Sequence, residues 1–500
     1  MAAFCLEGDM LFEEAFASLL IILNKLQEKP LRRIGDVTLI GDIEAMNKRL
    51  QQCSDNFICN MPYNKTKHVI LLQDVYKKLY HVLQFYDPSL IASAAYRMVE
   101  SVMSEGMTPI APIAFVLYGT VLTSIGRLEL GCRLGRLALK LVEKDESFQY
   151  KSCVIAVVHQ FILLYAEPLQ AIASSHVTGF KFGEQLGDIL YSSMNLFFSN
   201  QMSYLSGQNL INVQGSCKNM ILTLITRKQD RFIGTSVILY HHIISLAEGL
   251  HMIDAAGRVD DDMPTVKEVQ NKAKENAQIQ VSIKIYQLIQ AILFRRISSD
   301  VLDDDVMNIS KLIEEKKMQL RPIYAFGIFY EGLTCFLQSF TATDSKEKTA
   351  WIDRGRAIIA KVGLWLPFCN WNWENKQLLL EAMEMHTLEN HESAELLYIR
   401  AIQSSHKHYF IHEEGISSEL AGDFFFERGN LSEAYALYMH SIKCFNEWGA
   451  AAVSKRVQNH LQSKFGHQIR QLERSVNVVG MMGRWGVHES TEIKKRQLMG

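Results

Sequence analysis

The C-terminal part of the chain repeats itself at a spacing of about 40 residues, which is in the length range of the structural units of repeat proteins. Shifting the sequence by this distance places Leu380 on Leu420 and Asn390 on Asn430. Each copy predicts a helix, a turn that holds the asparagine, and a second helix with one apolar face. One such pair cannot bury both of its apolar faces, so we expect consecutive pairs to stack into an array. The second helix carries the motif A-x-x-L-Y-x-x-x-I twice, as Ala394, Leu397, Tyr398 and Ile402 and again as Ala434, Leu437, Tyr438 and Ile442.

The clearest copy of the repeat runs from Tyr409 to Asn459. Its first helix is predicted from about Glu413 to Glu427, and its second helix begins near Leu431. The tripeptide Arg428-Gly429-Asn430 favours a tight turn between them, because glycine and asparagine tolerate the left-handed conformation that ends a helix. We predict that Trp448-Gly449-Ala450 ends the second helix and joins it to a final capping helix.

The repeat predicts an all-α fold, an irregular tetratricopeptide-like α-α superhelix of the helical-repeat solenoid class. Its period is slightly longer than that of a regular tetratricopeptide repeat, which is about 34 residues. Weaker copies occur at Gly119–Val142 and Gly327–Val362. A chain of 500 residues is too long for one compact core. We therefore expect an N-terminal helical region at 1–104, helical-repeat pairs at 105–253, a charged connection at 254–278, tetratricopeptide-like repeats with the capping helix at 279–475, and a flexible tail at 476–500.

Charge, cysteines and apolar stretches indicate the environment of the chain. The net charge of −2 argues against a general nucleic-acid surface, which is strongly basic. Nine scattered cysteines without a CxxC motif predict reduced core residues, not a disulfide framework or a zinc site. The acidic N-terminus fits neither a secretory signal nor a transit peptide, so we expect a cytoplasmic protein. The uncharged stretch 106–126 is long enough for a membrane span, but its prolines and glycines favour a buried helix.

The sequence lacks the motifs of common catalytic sites. It has no glycine-rich phosphate loop ending in Lys and Ser or Thr, no kinase motif set and no G-x-S-x-G elbow. We therefore predict no catalytic residue, no cofactor and no metal site. The densest polar cluster would place His408 and His412 one turn apart if both lay on one helix, where they could face a metal ion. Exposed histidines at a bend explain this cluster better, and its members are His406, His408, His412, Glu413 and Glu414.

Four large aromatic residues lie close together in the sequence, in a stretch predicted to be mostly loop. Such rings can anchor a protein partner. They can also fill the gap between two helix pairs, and packing is the favoured interpretation because partly exposed aromatics are ordinary in irregular loops. The four residues are Trp365, Phe368, Trp371 and Trp373.

The C-terminal motifs resemble those of a known helical region. The segment 414–421, followed by Phe424 and Phe425, is similar to the pattern E-x-A-L-A-x-E-x-A-x-x-F-Y. The pattern A-Y-x-x-Y-x-x-W-G-A-x-A-K is matched approximately by Tyr438, Phe445, Trp448-Gly449-Ala450 and a displaced Lys455. These patterns occur in the tetratricopeptide-like region of very large multi-domain signalling proteins, which also contain a predicted signal-transduction AAA-type ATPase and Ser/Thr and histidine kinase domains.

Weaker matches to the same family extend over nearly the whole chain. The segment Asn372–Lys376 looks like the family's N-F-x-H-K at the start of a repeat helix, and Cys369 stands where the family often has cysteine, although Asn370 replaces its usual proline. Upstream, Gly106-Met107-Thr108-Pro109, Tyr118-Gly119 and Glu167-Pro168-Leu169 resemble the family's G-N-S-P, Y-G and E-P-L elements. The ATPase and kinase domains are not among these 500 residues, so no catalytic role is carried over to any of them.

These features lead to three hypotheses about function. The first is a non-catalytic helical scaffold that mediates protein–protein interaction in signalling, with ATPase or kinase domains as the partners. The second is a separated or truncated regulatory segment of a signal-transduction ATPase or kinase. The third and weakest is a small-ligand sensor within the superhelix. None of them involves nucleic acid or a membrane span, and the sequence leaves the oligomeric state open.

Overall fold

The computed structural model of the chain describes residues 9–83, 86–144, 149–249, 263–273, 276–297, 303–315 and 322–487. These residues form helices and turns and contain no β-strand; one isolated bridge joins Tyr63 and Met107. The predicted all-α class is therefore confirmed. Within the part of the chain that is described, no helix combines the length and the apolar character needed to cross a bilayer.

The chain divides into two compact units. The first comprises the described residues of 1–166 and 178–195, and the second those of 167–177 and 196–500. The boundary between them falls inside the region 105–253 that was predicted from the sequence. Two helices contribute residues to both units, namely α9 (Leu169–Leu186) and α10 (Ile189–Leu205).

The first unit is built around a helix that is buried on all sides, α6 (Ala111–Ser124). This helix lies within the uncharged stretch 106–126, which the sequence predicted to be a buried helix. Helix α7 (Leu128–Lys144) packs against α6 at Gly131, where an added Cβ would lie 2.6 Å from Thr123 Cγ2 and 3.0 Å from the carbonyl oxygen of Gly119. The other helices that lie wholly in this unit are α1 (Asp9–Lys25), α2 (Val37–Gln52), α3 (Asp55–Cys59), α4 (Lys67–Leu83), α5 (Ile91–Glu105) and α8 (Lys151–Phe161).

The second unit continues as helices that pack on their neighbours in sequence. Its first part contains α11 (Leu210–Thr226), α12 (Asp230–Glu248), α13 (Val266–Ala273), α14 (Ala277–Leu293), α15 (Asp304–Met307), α16 (Ile309–Glu315), α17 (Pro322–Thr341) and α18 (Ser345–Gly363). Its second part contains α19 (Asn370–Thr387), α20 (His391–Lys407), α21 (Ile411–Glu427), α22 (Leu431–Trp448), α23 (Ala451–Phe465), α24 (Ile469–Ser475) and α25 (Val478–Arg484).

The helices of the second part begin at regular intervals. Helices α20, α21, α22 and α23 start at positions 391, 411, 431 and 451, which are evenly spaced. The residue two positions before each start has a positive φ, with values of 60°, 62°, 78° and 92° at Glu389, Tyr409, Gly429 and Gly449. Each repeat unit of the sequence therefore corresponds to two helices of equal spacing, and both predicted glycine turns, at Gly429 and Gly449, are present.

Several predicted element boundaries differ from the structure. Helix α19 begins at Asn370, so the stretch of four aromatic residues that was predicted to be mostly loop is helical from that residue onward. Helix α13 lies within the predicted charged connection, where Thr265 and Glu268 form a reciprocal capping box through contacts of 3.1 and 2.7 Å. Helix α25 lies within the predicted flexible tail. Of these two segments, 254–262, 274–275 and 488–500 lie outside the described residues.

Candidate functional site

Helix α21 is buried along most of its length although it carries acidic residues on several sides. Glu413, Glu414 and Glu419 are each at most 3% exposed, and the side chain of Asp423 is 19% exposed. Burying a carboxylate is costly unless a cation or several hydrogen bonds compensate for the lost water. Each of these four carboxylates has such partners, supplied by the helices and turns packed around α21. We call them the α21 carboxylates.

The first of the α21 carboxylates, Glu413, pairs with Lys376 of α19. The two side chains are fully buried, and Lys376 Nζ lies 2.8 Å from Glu413 Oε2 and 2.8 Å from the carbonyl oxygen of Asn372. The rings of Phe410 and Phe326 face the ammonium group, with centroids 4.2 and 4.4 Å from Nζ. Burial lowers the pKa of Lys376 and raises the pKa of Glu413. The pair therefore joins α19 to α21 inside an aromatic enclosure.

The carboxylate of Glu419 is bound by two arginines from distant parts of the chain. Arg295 Nε donates to Glu419 Oε1 at 3.0 Å, and Arg456 Nη2 donates to Glu419 Oε2 at 2.8 Å. Burial raises the pKa of Glu419, but the charges of Arg295 and Arg456 outweigh this and leave the pKa below its ordinary value. Glu419 thus connects α21 to the turn after α14 and to α23.

The carboxylate of Asp423 lies at the centre of a larger network of ion pairs and hydrogen bonds. Arg295 Nη2 and Lys464 Nζ lie 2.9 and 2.7 Å from its oxygens. Tyr438 donates its hydroxyl hydrogen to Asp423 Oδ1 at 2.6 Å, and His460 Nε2 lies 3.0 Å from the same atom. Burial opposes ionisation, yet these partners hold the pKa of Asp423 well below its ordinary value. The repeat residue Tyr438 therefore packs in the apolar core with its ring and binds Asp423 with its hydroxyl group.

The carboxylate of Glu414 contacts two histidines. Its Oε1 lies 2.7 Å from His440 Nε2 and 3.0 Å from His406 Nδ1. Burial raises the pKa of Glu414, but the hydrogen bonds from His406 and His440 reverse the shift and lower the pKa to about 2. Cys444 Sγ lies 3.5 Å from His440 Nε2. Among the described residues, Glu414, His440 and Cys444 form the group whose atoms are close enough to ligate one metal ion.

Two motifs that carried the family resemblance meet in the second unit. The side chain of Asn372 accepts a hydrogen bond from the Leu169 amide at 3.1 Å and donates one to the Glu167 carbonyl at 2.8 Å. Next to it, Trp371 Nε1 donates to Gln170 Oε1 at 3.1 Å. The element Glu167-Pro168-Leu169 is thereby joined to the start of α19, although the two are far apart in the sequence.

The four aromatic residues singled out from the sequence have different environments. Trp365 and Trp373 are buried and pack on each other, with ring centroids 4.7 Å apart. Trp371 is half-buried and lies 4.7 Å from the ring of His408, whereas Phe368 is 39% exposed. Trp371 and Trp373 belong to α19, not to the predicted loop. Of the four, Phe368 alone offers a large part of its ring to solvent.

The predicted exposure of the histidine cluster is wrong. His408 and His412 are buried, because His408 packs on Trp371 and the ring of His412 stacks on Trp448 at 5.0 Å. The two histidines belong to different elements, since α20 ends at Lys407 and α21 begins at Ile411. Burial lowers the pKa of His412 to about 3, so this ring is neutral at pH 7.

The repeat residues are almost all in the core. Seven of the eight motif positions are buried, and the exception, Leu397, is half-buried. Trp448 is 1% exposed, and Gly449 adopts the left-handed conformation at the end of α22. Near the turns of this region, a surface recess of about 310 Å³ is lined by His386, His391, Phe424, Glu427 and Arg428.

The sequence patterns did not identify the cations that surround α21. Arg295, Arg456 and Lys464 belong to no motif, and Arg295 lies 124 positions before Glu419. The acidic residues gave no signal either, because Glu413, Glu419, Asp423 and Glu427 fall within about 120° of the circumference of α21, as the polar face of an exposed helix does.

No family model matches the chain, and no curated protein is found to be similar to it.

Proposed function

We propose that the chain is a non-catalytic helical-repeat scaffold that binds other proteins in signalling. The observation that carries this proposal is the regular spacing of helices α20 to α23, with a left-handed residue before each start. Equal spacing gives each helix pair a similar rotation relative to the one before it. Stacking such pairs produces the tetratricopeptide-like superhelix, a fold whose extended surface suits protein recognition.

The partners in this proposal are signalling proteins with ATPase or kinase domains. This class comes from the resemblance to the tetratricopeptide-like region of multi-domain signalling proteins. The contact between Asn372 and the Glu167-Pro168-Leu169 element supports the resemblance, because two of its separate motifs form one structural joint. A partner domain would then bind the array either as a separate protein or as part of a longer product.

An exposed apolar pair gives the scaffold a testable contact surface. Leu364 and Phe368 lie in the link between α18 and α19 and are 68% and 39% exposed. Aromatic side chains such as Phe368 are enriched in protein interfaces, and Leu364 is the exposed apolar residue four positions before it. Point substitutions test this surface better than deletion of the repeats at 365–459, because the deletion would also remove α21 and its carboxylates.

The test is cross-linking of the tagged, intact chain in its own cells, followed by identification of the bound proteins. We expect a protein with an ATPase or kinase domain, cross-linked within residues 322–465. The double variant Leu364→Glu/Phe368→Glu should reduce its recovery by about tenfold or more, as expected for the loss of an interface anchor. The matched control is Ile211→Glu, a substitution at an apolar residue of α11 that is 70% exposed.

Two results would contradict the proposal. Hydrolysis of ATP by the purified, intact chain would show that it is not a non-catalytic scaffold. Equal recovery of the partner by the double variant and by the Ile211→Glu control would exclude the proposed surface. An in-frame phosphate-binding motif in the transcript that encodes this chain would instead favour a regulatory segment of a larger ATPase.

A further inference from the structure

The contacts of Glu414 bring three kinds of metal ligand together in the second unit. A carboxylate comes from α21, an imidazole and a thiol come from α22, and a second imidazole comes from the end of α20. Glu414, His440 and Cys444 are all buried, and their ligand atoms lie within 4.8 Å of one another. His406 Nδ1 is 3.0 Å from Glu414 Oε1, and its own side chain is 20% exposed. Glu414, His440 and Cys444 therefore surround one small volume, and His406 lies beside it through its contact with Glu414.

Local packing fixes the positions of these side chains. His440 and Cys444 are one helical turn apart on α22, so both project from the same face of the helix. Gly415 lets α22 approach α21, because an added Cβ there would lie 3.3 Å from Cys444 Cβ and 3.1 Å from the ring of Phe445. Ser441 Oγ donates to the Gly415 carbonyl at 2.8 Å and sets the rotation of α22. The ligand atoms are thus held before any ion arrives.

The preceding copy of the repeat shows that packing alone does not require these residues. The shift that places Leu380 on Leu420 also places Glu374 on Glu414 and Ser404 on Cys444. There, Ser404 Oγ simply donates a hydrogen bond to Glu374 Oε2 at 2.8 Å. A serine satisfies the glutamate in one copy, whereas the next copy carries a thiol and two imidazoles around the equivalent glutamate.

We propose that Glu414, His440 and Cys444 bind one zinc-like transition-metal ion, with a water molecule as the fourth ligand. Thiolate, imidazole and carboxylate are the ligands that zinc uses, and a water molecule can complete its tetrahedral coordination. A divalent ion balances the thiolate and the carboxylate, so the occupied site is neutral and suits a buried position. On binding, the thiol of Cys444 loses its proton to solvent. The Nε2 hydrogen that His440 donates to Glu414 is also given up to solvent, and the neutral ring keeps its one N–H at Nδ1. The 2.7 Å contact between Glu414 and His440 widens by about 0.5 Å to fit tetrahedral bond lengths. The ion would join α21 and α22.

The test is a titration of the purified, metal-free, intact chain with Co²⁺, followed by competition with Zn²⁺. We expect one equivalent of Co²⁺ to produce the visible bands of a tetrahedral complex and a thiolate-to-cobalt charge-transfer band, both removed by Zn²⁺. The Cys444→Ser variant should lose the charge-transfer band and bind Zn²⁺ at least tenfold more weakly. The serine at position 404 in the preceding copy indicates that this variant can fold.

The matched control is Cys369→Ser, which replaces a buried cysteine in the same unit at the position that precedes α19. Serine is a preferred residue there, so this variant should keep the charge-transfer band. A second variant, His440→Gln, should lose the tetrahedral bands while keeping the helical circular dichroism of the unaltered chain. No cobalt band at one equivalent, or a band that persists in Cys444→Ser, would overturn the proposal and leave Glu414 as a purely hydrogen-bonded group.

Discussion

At the scale of single residues, the buried pair of Lys376 and Glu413 shows how a charged group can be part of a core. Neither side chain is more than 1% exposed. Removing both charges from such a pair is often tolerated, whereas removing one leaves the other without compensation. This asymmetry makes the pair a sensitive test of the structure around α21.

We expect Lys376→Met to destabilise the second unit by about 3–5 kcal/mol, because Glu413 would remain buried without its cation. The double variant Lys376→Met/Glu413→Leu should recover more than half of this loss. Urea unfolding followed by tryptophan fluorescence measures this unit selectively, since all six tryptophans of the chain lie in it. A double variant less stable than Lys376→Met would show that the two charges do not depend on each other.

The pKa of Glu419 predicts a dependence of stability on acid. Because Arg295 and Arg456 depress this pKa in the folded state, Glu419 contributes stability that is fully present above the ordinary pKa of 4.5 and is lost as the pH falls below it. We expect the urea midpoint of the unaltered chain to fall between pH 6 and pH 3. Glu419→Gln should lower the midpoint at pH 7 and show a weaker decline towards pH 3. Parallel declines in the two proteins would contradict the assignment.

At the scale of elements, the turns between the repeat helices combine predictable and unpredictable features. The sequence indicated the turns at Gly429 and Gly449, because glycine favours positive φ. It also indicated a turn at Asn390 and a bend near His408, but not the positive φ of Glu389 and Tyr409, since such residues rarely adopt this conformation. The repeat alignment related the two sets of turns, but only the structure shows that the backbone keeps the same conformation where the glycine is replaced.

We expect Gly429→Ala to destabilise the second unit by about 1–2 kcal/mol, the cost of a left-handed alanine. No atom lies within 4 Å of the added Cβ, so the effect comes from the backbone alone. The control is Gly215→Ala in α11, where the space is equally open but φ is not positive, and which should stabilise by about 0.5–1 kcal/mol. The urea midpoints of both variants provide the measurement, and equal shifts would rule out the left-handed turn.

At the scale of the whole molecule, periodicity made the helices predictable and left the polar contacts unpredicted. The apolar repeat positions recur from one copy to the next, so one copy helps to predict the other. The partners of the α21 carboxylates do not recur, because Lys376 aligns with Ile416 and Glu413 aligns with Trp373. Long separations in the sequence make these contacts still harder to predict, since Arg295 and Asp423 are 128 positions apart. Contacts of this kind depend on tertiary packing and have no local sequence pattern.

Helix α21 is the centre of the second unit, and its carboxylates are surrounded by cations from α19, from α23 and from the turn after α14. Amide hydrogen exchange of the intact chain, followed by mass spectrometry, tests this directly, because exchange from a central helix requires opening of the structure around it. We predict that Ile411–Glu427 exchanges more slowly than any other described helix of the second unit. Exchange of α21 as fast as that of the largely exposed helix α1 would contradict the central claim.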